Sequence, residues 1–463
     1  MSGFPETDIK RLLKETMLNK EIRQTIALSL PIVVGQLGQL MMTVTDNIMV
    51  GKVGVHALAA ASIANAIFHL IMVVGFGLTM AVTPLTAIAR GAGKDEECGI
   101  VLRQGLFLNL FFGFLLCILT IILSEIIQFL NQPVEIVRPA SLYMKVLGLS
   151  MLPLMMFQSY RQFAEGVSFL KPAMIITILA NLVNILANYM FIYGNWGAPK
   201  LGLTGAGVAT ISARTFMAIA IMMVIIHARK LKRFDPGLRY RKIDFGMMKK
   251  LLSIGIPTGF QYFFEVSAFA ASSIMIGWMG TIELAAHQIA LNLASISFMV
   301  AMGISAAATI RVSNAIGRQD IHGARRAGFC AALLCAVFMG GCGIIFVLLR
   351  HFLPSLYINE KAVIDVSAVL LIIIAFFQIS DGTQAVGMGI LRGITDMKIP
   401  TIITLAAYWL IGLPAGYLLA FKCRQGIYGV WYGLLISLTA AAVLMMLRFH
   451  AKSRMPDQPL KSI

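Results

Sequence analysis

Asp46, Glu265 and Asp381 each stand inside a long apolar stretch whose neighbours leave hydrocarbon as the only solvent. An ionisable group at membrane depth costs kilocalories, so such residues usually face a cavity and mark an ion or substrate path. Removal from water raises a carboxylate's proton affinity unless a cation or hydrogen-bond donors compensate it. One such acid can exchange H+, Na+ or an organic cation at a single locus. Coupled antiport needs that property.

Polar residues recur at helical spacing around the acids. Gln36, Gln39, Thr43 and Asp46 are spaced 3, 4 and 3, and Thr177, Asn181, Asn184 and Asn188 are spaced 4, 3 and 4. Gln288, Asn292 and Ser295 form another stripe, and Gln378, Asp381 and Gln384 a further one. Gln261 and Tyr262 lie one turn before Glu265, with Ser272 two turns after it. Small polar residues also bond membrane helices to one another, so a stripe alone admits a structural role. A stripe that contains an acid is harder to explain so, because a buried acid must stay neutral or find a cation. Asp46 with Asn184 and Asn188 offers three oxygens to a hard cation. The 28 Met and 28 Phe supply adaptable surfaces for flat apolar ligands, although most of so many must face lipid or other helices.

The elements that hold these residues follow from composition. The 463 residues are 58% hydrophobic and only 13% charged, with a mean hydropathy of +0.83, which predicts a polytopic helical membrane protein. Twelve apolar stretches fall near 25–51, 57–90, 101–124, 137–160, 173–193, 203–228, 250–279, 284–311, 326–349, 362–389, 400–421 and 427–449. The net charge of +17 would fit a nucleic-acid binder, but most Lys and Arg fall on one side of the twelve spans. That asymmetry places both termini and the loop 229–249 in the cytoplasm, with Arg229, Lys230, Lys232 and Arg233 as topology determinants. Residues 1–24 form a polar basic arm, and the apolar segment after it is too long for a signal-peptide core.

Several chemistries lack their residues. The six cysteines show no CxxC or metal spacing and read as small hydrophobes. Gly91-Ala92-Gly93-Lys94 has neither the length nor the hydroxyl of a P-loop, which argues against direct ATP drive. His56, His69, His287 and His322 make no HExxH motif, and the GxG at Gly205 and Gly207 suits tight helix packing. Arg161 and Glu165, at i and i+4, read as an ion pair at the cytoplasmic edge of the fourth span. An intramembrane aspartyl hydrolase would need paired acids in a cleavage motif, which Ser380-Asp381-Gly382 does not supply. No enzyme is expected.

The chain is also duplicated. At an offset of 226 residues Pro31 falls on Pro257, Gly51 on Gly277, Gly54 on Gly280, Gly77 on Gly303 and Gly91 on Gly317. Six spans per repeat give both halves the same orientation, a transporter architecture with the substrate path between parallel repeats. The expected organisation is an arm 1–24, an N-lobe 25–228, a basic linker 229–249, a C-lobe 250–449 and a tail 450–463. The acids are not repeat equivalents, since the offset places Asp46 on Ser272 and Glu265 on Gln39.

Val44-Thr45-Asp46-Asn47-Ile48-Met49-Val50-Gly51, Phe263-Phe264-Glu265-Val266, Ala286 through Asn292, Gln378 through Asp381, Gly389 through Gly393 and Asn184 through Gly194 carry a family resemblance. Over essentially its whole length the chain resembles the multidrug and toxic compound extrusion (MATE) transporters, most closely the bacterial NorM type. The resemblance implies an all-α, V-shaped fold of two six-helix lobes that exports cationic drugs and dyes against entering Na+ or H+, without a cofactor. It implies that Asp46, with Asn184, Asn188 and Thr210 beside it, handles drug and cation. It implies cation binding, Na+ included, by Glu265 and Asp381. Substrate contacts are expected from Asp46, Gln39, Thr43, Tyr262, Gln288, Asn292, Phe377 and Asp381. Phe377 departs from several sodium-coupled relatives, which carry a Tyr one turn before the last acid. A monomer in the bacterial inner membrane, surrounded by lipid and binding no nucleic acid, completes the expectation. A related fold that flips lipid-linked oligosaccharides would carry anionic cargo and want several buried cations, where only Arg214 lies mid-span.

Overall fold

The structure is a computed structural model that describes residues 6–129, 133–237 and 243–454. The remainder of the expected arm, linker and tail lies outside the described residues. All regular structure among them is helical, because a backbone in hydrocarbon must satisfy its own hydrogen bonds.

Twelve long elements follow in order: α1 Glu6–Gly51, α2 Val55–Gly91, α3 Asp95–Ser124, α4 Val134–Leu149 with Met151–Gly166, α5 Lys171–Tyr193 and α6 Leu203–His227. The second set is α7 Phe245–Gly277, α8 Thr281–Gly317, α9 Ile321–Leu348, α10 Lys361–Gly393, α11 Lys398–Lys422 and α12 Ile427–Lys452. Eleven are long and apolar enough to cross a bilayer. The twelfth, α7, has 33 residues but is made more polar by Lys249, Lys250, Gln261 and Glu265.

Prolines decide where the two repeats differ. Proline lacks the N–H that would bond the carbonyl four residues earlier. In α2 the helix breaks after Thr79 and resumes at Val82, where Pro84 withholds its bond from Met80. In α4 it breaks at Ser150, where Pro153 withholds its bond from Leu149. At the offset of 226 the counterpart of Pro84 is Ile310. Later in the repeat, where the offset is 227 and Gly166 falls on Gly393, the counterpart of Pro153 is Ser380, and α8 and α10 run unbroken. Pro414 follows a π-helical turn, Ala406–Gly412, within α11. The duplication survives in backbone detail: Gly54 and Gly280 open α2 and α8 at φ 147° and 153°, a conformation that excludes a side chain.

The chain divides into two compact units, one of Val34–Phe263 and the other of Met1–Val33 with Phe264–Ile463. Both divisions fall inside helices, α1 and α7, rather than at 229–249. The reason lies in close backbone approaches that pair each helix start with the other repeat. In the second unit, a Cβ on Gly303 of α8 would meet Val33 and the carbonyl of Ser29. In the first, a Cβ on Gly77 of α2 would collide with the backbone of Thr258 and Gly259. The offset of 226 relates the two contacts, Gly77 to Gly303 and Val33 to Gly259. Arg311 of α8 fastens the start of α1, pairing with Glu21 and hydrogen-bonding the Thr25 hydroxyl.

Each unit has its own interior. In Val34–Phe263 it includes Phe68, Tyr143, Met144, Met151 and Met155. In the other, Phe377, Tyr408, Trp431 and Leu438 form one cluster, while Met339, Met445 and Phe449 belong to another. Replacing Gly77 or Gly303 by Val should overpack these approaches and cost about 1–3 kcal/mol or more. Gly35, with no neighbour within 4 Å of an added Cβ, should accept Ala and gain up to about 1 kcal/mol of helix propensity. Thermal unfolding in detergent reads both effects. An unchanged midpoint for Gly303→Val would contradict the close approach.

Candidate functional site

In the unit Val34–Phe263, Asp46 is 9% exposed and held from two helices. Asn188 of α5 donates from Nδ2 to Oδ1 at 2.6 Å. Thr210 of α6 donates from Oγ1 to Oδ2 at 3.2 Å. Asn184 lies one turn before Asn188 and accepts from the same amide at 3.2 Å. Both asparagines are fully buried. Asn184 also acts on the Asp46 carboxylate, while Asn184 Nδ2 and Asn188 Oδ1 have no partner within hydrogen-bond distance among the described residues. The four residues that sequence and resemblance bring together do meet.

The other half of the α5 stripe serves a different purpose. Asn181 donates to the Gly38 carbonyl of α1 at 2.9 Å, and Thr177 presents its methyl to Gly38. These residues join helices. Gln39 is half-buried and Thr43 exposed, and neither approaches the Asp46 carboxylate through a described hydrogen bond.

Arg214 adds a positive charge beside this cluster. It follows Thr210 by one turn of α6, and its guanidinium lies within electrostatic range of Asp46 and Tyr143. Nη1 donates to Ser150 Oγ at 2.5 Å, at the break in α4, and the guanidinium carbon sits 5.3 Å from the Phe68 ring centroid. Tyr143 is buried and bonded to Asn65. Asp46 therefore has two hydrogen-bond donors and a nearby built-in cation. The i, i+4 spacing of Thr210 and Arg214 was the available signal; nothing in the local pattern pointed to Tyr143 or Asn65.

In the other unit, Glu265 of α7 and Asp381 of α10 are 6% and 5% exposed and within electrostatic range of each other. Gln384, one turn beyond Asp381, is a side-chain partner of Glu265. Among the described residues no Lys, Arg or His is found acting on either acid. Glu265 Oε2, Gln384 Oε1, Gln378 Oε1 and the Tyr408 hydroxyl are buried without hydrogen-bond partners. Gln378 spends its amide on Ser297 Oγ at 2.6 Å.

Tyr408 lies within range of both acids. It sits on the π-helical turn of α11, and its ring lies tilted against Phe269 with centroids 6.2 Å apart. Phe377 is packed between Phe269 at 6.3 Å and Trp431 at 5.5 Å, 2% exposed. The expected substrate contact Phe377 is thus a core ring, and the hydroxyl near the acids comes from another helix. Tyr408 stands in an apolar run with no polar stripe, so no periodicity marked it. Gln288 and Asn292 are exposed on α8, and Tyr262 is half-buried. His287 is bonded through Nε2 to Ser273 at 2.9 Å and packed on Trp431.

Arg161 and Glu165 form the expected ion pair, Nε to Oε1 at 2.8 Å, both nearly fully buried in α4. Among the described residues no group of three or more His, Cys, Asp or Glu could hold a metal. Any cation at Glu265 and Asp381 would need amide, hydroxyl or carbonyl oxygens, the kind left unpartnered there.

An internally duplicated bundle of long apolar helices, with acids buried in each of its units, is a polytopic membrane protein of transporter architecture. The chain belongs to the MatE family, whose model matches residues 31–190 and 257–418, one match per repeat. Solved structures share the fold. The eukaryotic MATE transporter AtDTX14 superposes with a TM-score of 0.86 at 21% identity, over 96% of this chain and 99% of that one. An outward-facing multidrug resistance MATE family transporter of the MOP superfamily gives 0.86 at 20%, over 95% and 97%. A MOP superfamily transporter from Pyrococcus furiosus, whose reversed binding-pocket polarity is described as suggesting a different function, gives 0.85 at 19%, over 95% and 97%.

Asn188→Leu should leave one oxygen of a buried carboxylate without its donor and cost about 1–3 kcal/mol. Thr43→Val, at an exposed position, should be neutral. Thermal unfolding of the two purified variants checks the difference, and equal midpoints would remove Asn188 from the support of Asp46.

Proposed function

We propose that the chain is a secondary active exporter of cationic, amphipathic small molecules, driven by exchange for Na+ or H+ through alternating access. The observation that carries this reading is the Glu265–Asp381 pair, buried beside orphaned oxygens with no basic partner acting on it among the described residues. Two like charges so placed repel, and either a proton or a cation relieves them. Glu265, Asp381, the Gln384 amide oxygen and the Tyr408 hydroxyl are the groups that would hold the coupling ion.

Asp46 differs because its charge is already compensated. Asn188 and Thr210 fix the carboxylate, and Arg214 lies near it. An organic cation at Asp46 competes with that internal guanidinium, which keeps binding weak enough for release. Gln39 and Thr43 on α1, and Tyr262, Gln288 and Asn292 in the second repeat, remain candidate contacts for the cargo. The positive-inside pattern supports cytoplasmic termini in a bacterial inner membrane. Engagement of Arg214 with Ser150 counts against an oligosaccharide phosphate as cargo.

Dye efflux from proteoliposomes under a Na+ gradient or a pH gradient, imposed separately, tests the reading. Wild-type protein should accelerate efflux in response to at least one, while Glu265→Gln and Asp381→Asn abolish the response and still insert. Arg214→Gln should bind a monovalent cationic dye about 5–10-fold more tightly, equivalent to roughly 1–1.4 kcal/mol. Full gradient-driven transport by both acid variants would overturn the assignment.

A further inference from the structure

A groove of about 500 Å3 opens between α9, α10 and α12 in the unit Phe264–Ile463. Ile379, Val443, Met446 and Leu447 give it apolar walls. Its two ends differ in chemistry. At one end, the hydroxyls of Ser380 and Thr439 are hydrogen-bonded to each other at 2.8 Å. At the other, an Arg325 guanidinium N–H donates to His450 Nδ1 at 3.1 Å. Arg325 is a permanent donor, so Nδ1 accepts and the imidazole proton sits on Nε2, free to donate in turn. Phe329 orients both groups: Arg325 lies over its ring at 5.6 Å, and His450 meets it edge-on at 6.1 Å.

Charge at this end is unbalanced. Arg325 and Arg454 are the charged groups acting on His450, and among the described residues no carboxylate pairs with Arg325. Arg448 nearby on α12 is committed to Asp396 at 2.7 Å. An anion is wanted at the basic end, and a hydrocarbon chain along the rest. The length agrees. From His450 to Thr439 along α12 is roughly 16 Å at 1.5 Å per residue, close to half of a hydrocarbon core of about 30 Å. A ligand anchored at the basic end would extend an acyl chain to the bilayer midplane and no further.

We infer that this groove binds one anionic diacyl phospholipid, with its phosphate on Arg325 and His450 and one acyl chain along α12. Basic pockets between membrane helices recognise anionic headgroups in this way. Placing the lipid in the cytoplasmic leaflet rests on the orientation proposed above; the preference for an anionic headgroup does not.

The test is lipid binding to the full-length protein, measured by native mass spectrometry with phosphatidylglycerol and phosphatidylcholine of equal chain length. Wild-type protein should bind phosphatidylglycerol about 10-fold more tightly, and Arg325→Gln combined with His450→Gln should reduce it to the phosphatidylcholine level. Arg325→Lys should keep part of the preference. Ala442→Phe, which fills the groove, should weaken both lipids while gradient-driven efflux confirms a folded protein. Equal binding of the two lipids by wild-type protein would overturn the proposal, as would an unchanged preference in the double variant. So would displacement of phosphatidylglycerol by glycerophosphate at equal concentration, because the groove would then contribute nothing.

Discussion

Compensation of buried negative charge governs how this molecule is put together. An uncompensated ion carried out of water costs several kilocalories even after the protein relaxes around it, and four acids are buried among the described residues, of which Glu165 is paired with Arg161. Around Asp46 the answer is internal: an amide from α5, a hydroxyl from α6 and a guanidinium one turn further along α6. Around Glu265 and Asp381 the described residues supply oxygens and no cation. On the proposed function, the coupling ion completes that environment.

The duplication explains why one scaffold holds both solutions. Its glycines are kept where backbones meet, at Gly77 and Gly303, and where helices turn sharply, at Gly54 and Gly280. Pro31 and Pro257 are kept as well, but the prolines at the helix breaks are not. Pro84 and Pro153 break α2 and α4, while Ile310 and Ser380 leave α8 and α10 continuous. The break at Ser150 is where Arg214 docks. In the second repeat the local irregularity moves to α11, where a π-helical turn holds Tyr408 close to the acids. Divergence in single backbone-breaking residues thus accompanies divergence in charge.

Much of this could be read from residue order. The helices, the repeat and the acids follow from apolar length, self-alignment and the cost of charge in lipid. The meeting of Asp46 with Asn184 and Asn188 follows from the 4-3-4 spacing of one helical face. Other features depend on packing that no local pattern records. The stripe Thr177 to Asn188 is periodic throughout, yet its first half bonds α1 backbone and only its second half reaches the acid. The compact units divide inside α1 and α7 because glycines on α2 and α8 admit a neighbouring backbone, a contact invisible to a count of spans. Tyr408 sits in an apolar run, and Phe377 proved to be a core ring because aromatic neighbours from α7 and α12 enclose it.

The central claim is that the uncompensated pair, and not Asp46, holds the coupling ion. Equilibrium binding of that ion to purified protein measures this directly, as retained 22Na+ or as protons released when Na+ is added. Asp46→Asn should bind the ion as wild-type protein does, whereas Glu265→Gln and Asp381→Asn should bind none. Loss of binding in Asp46→Asn, with binding retained in the other two, would contradict the account.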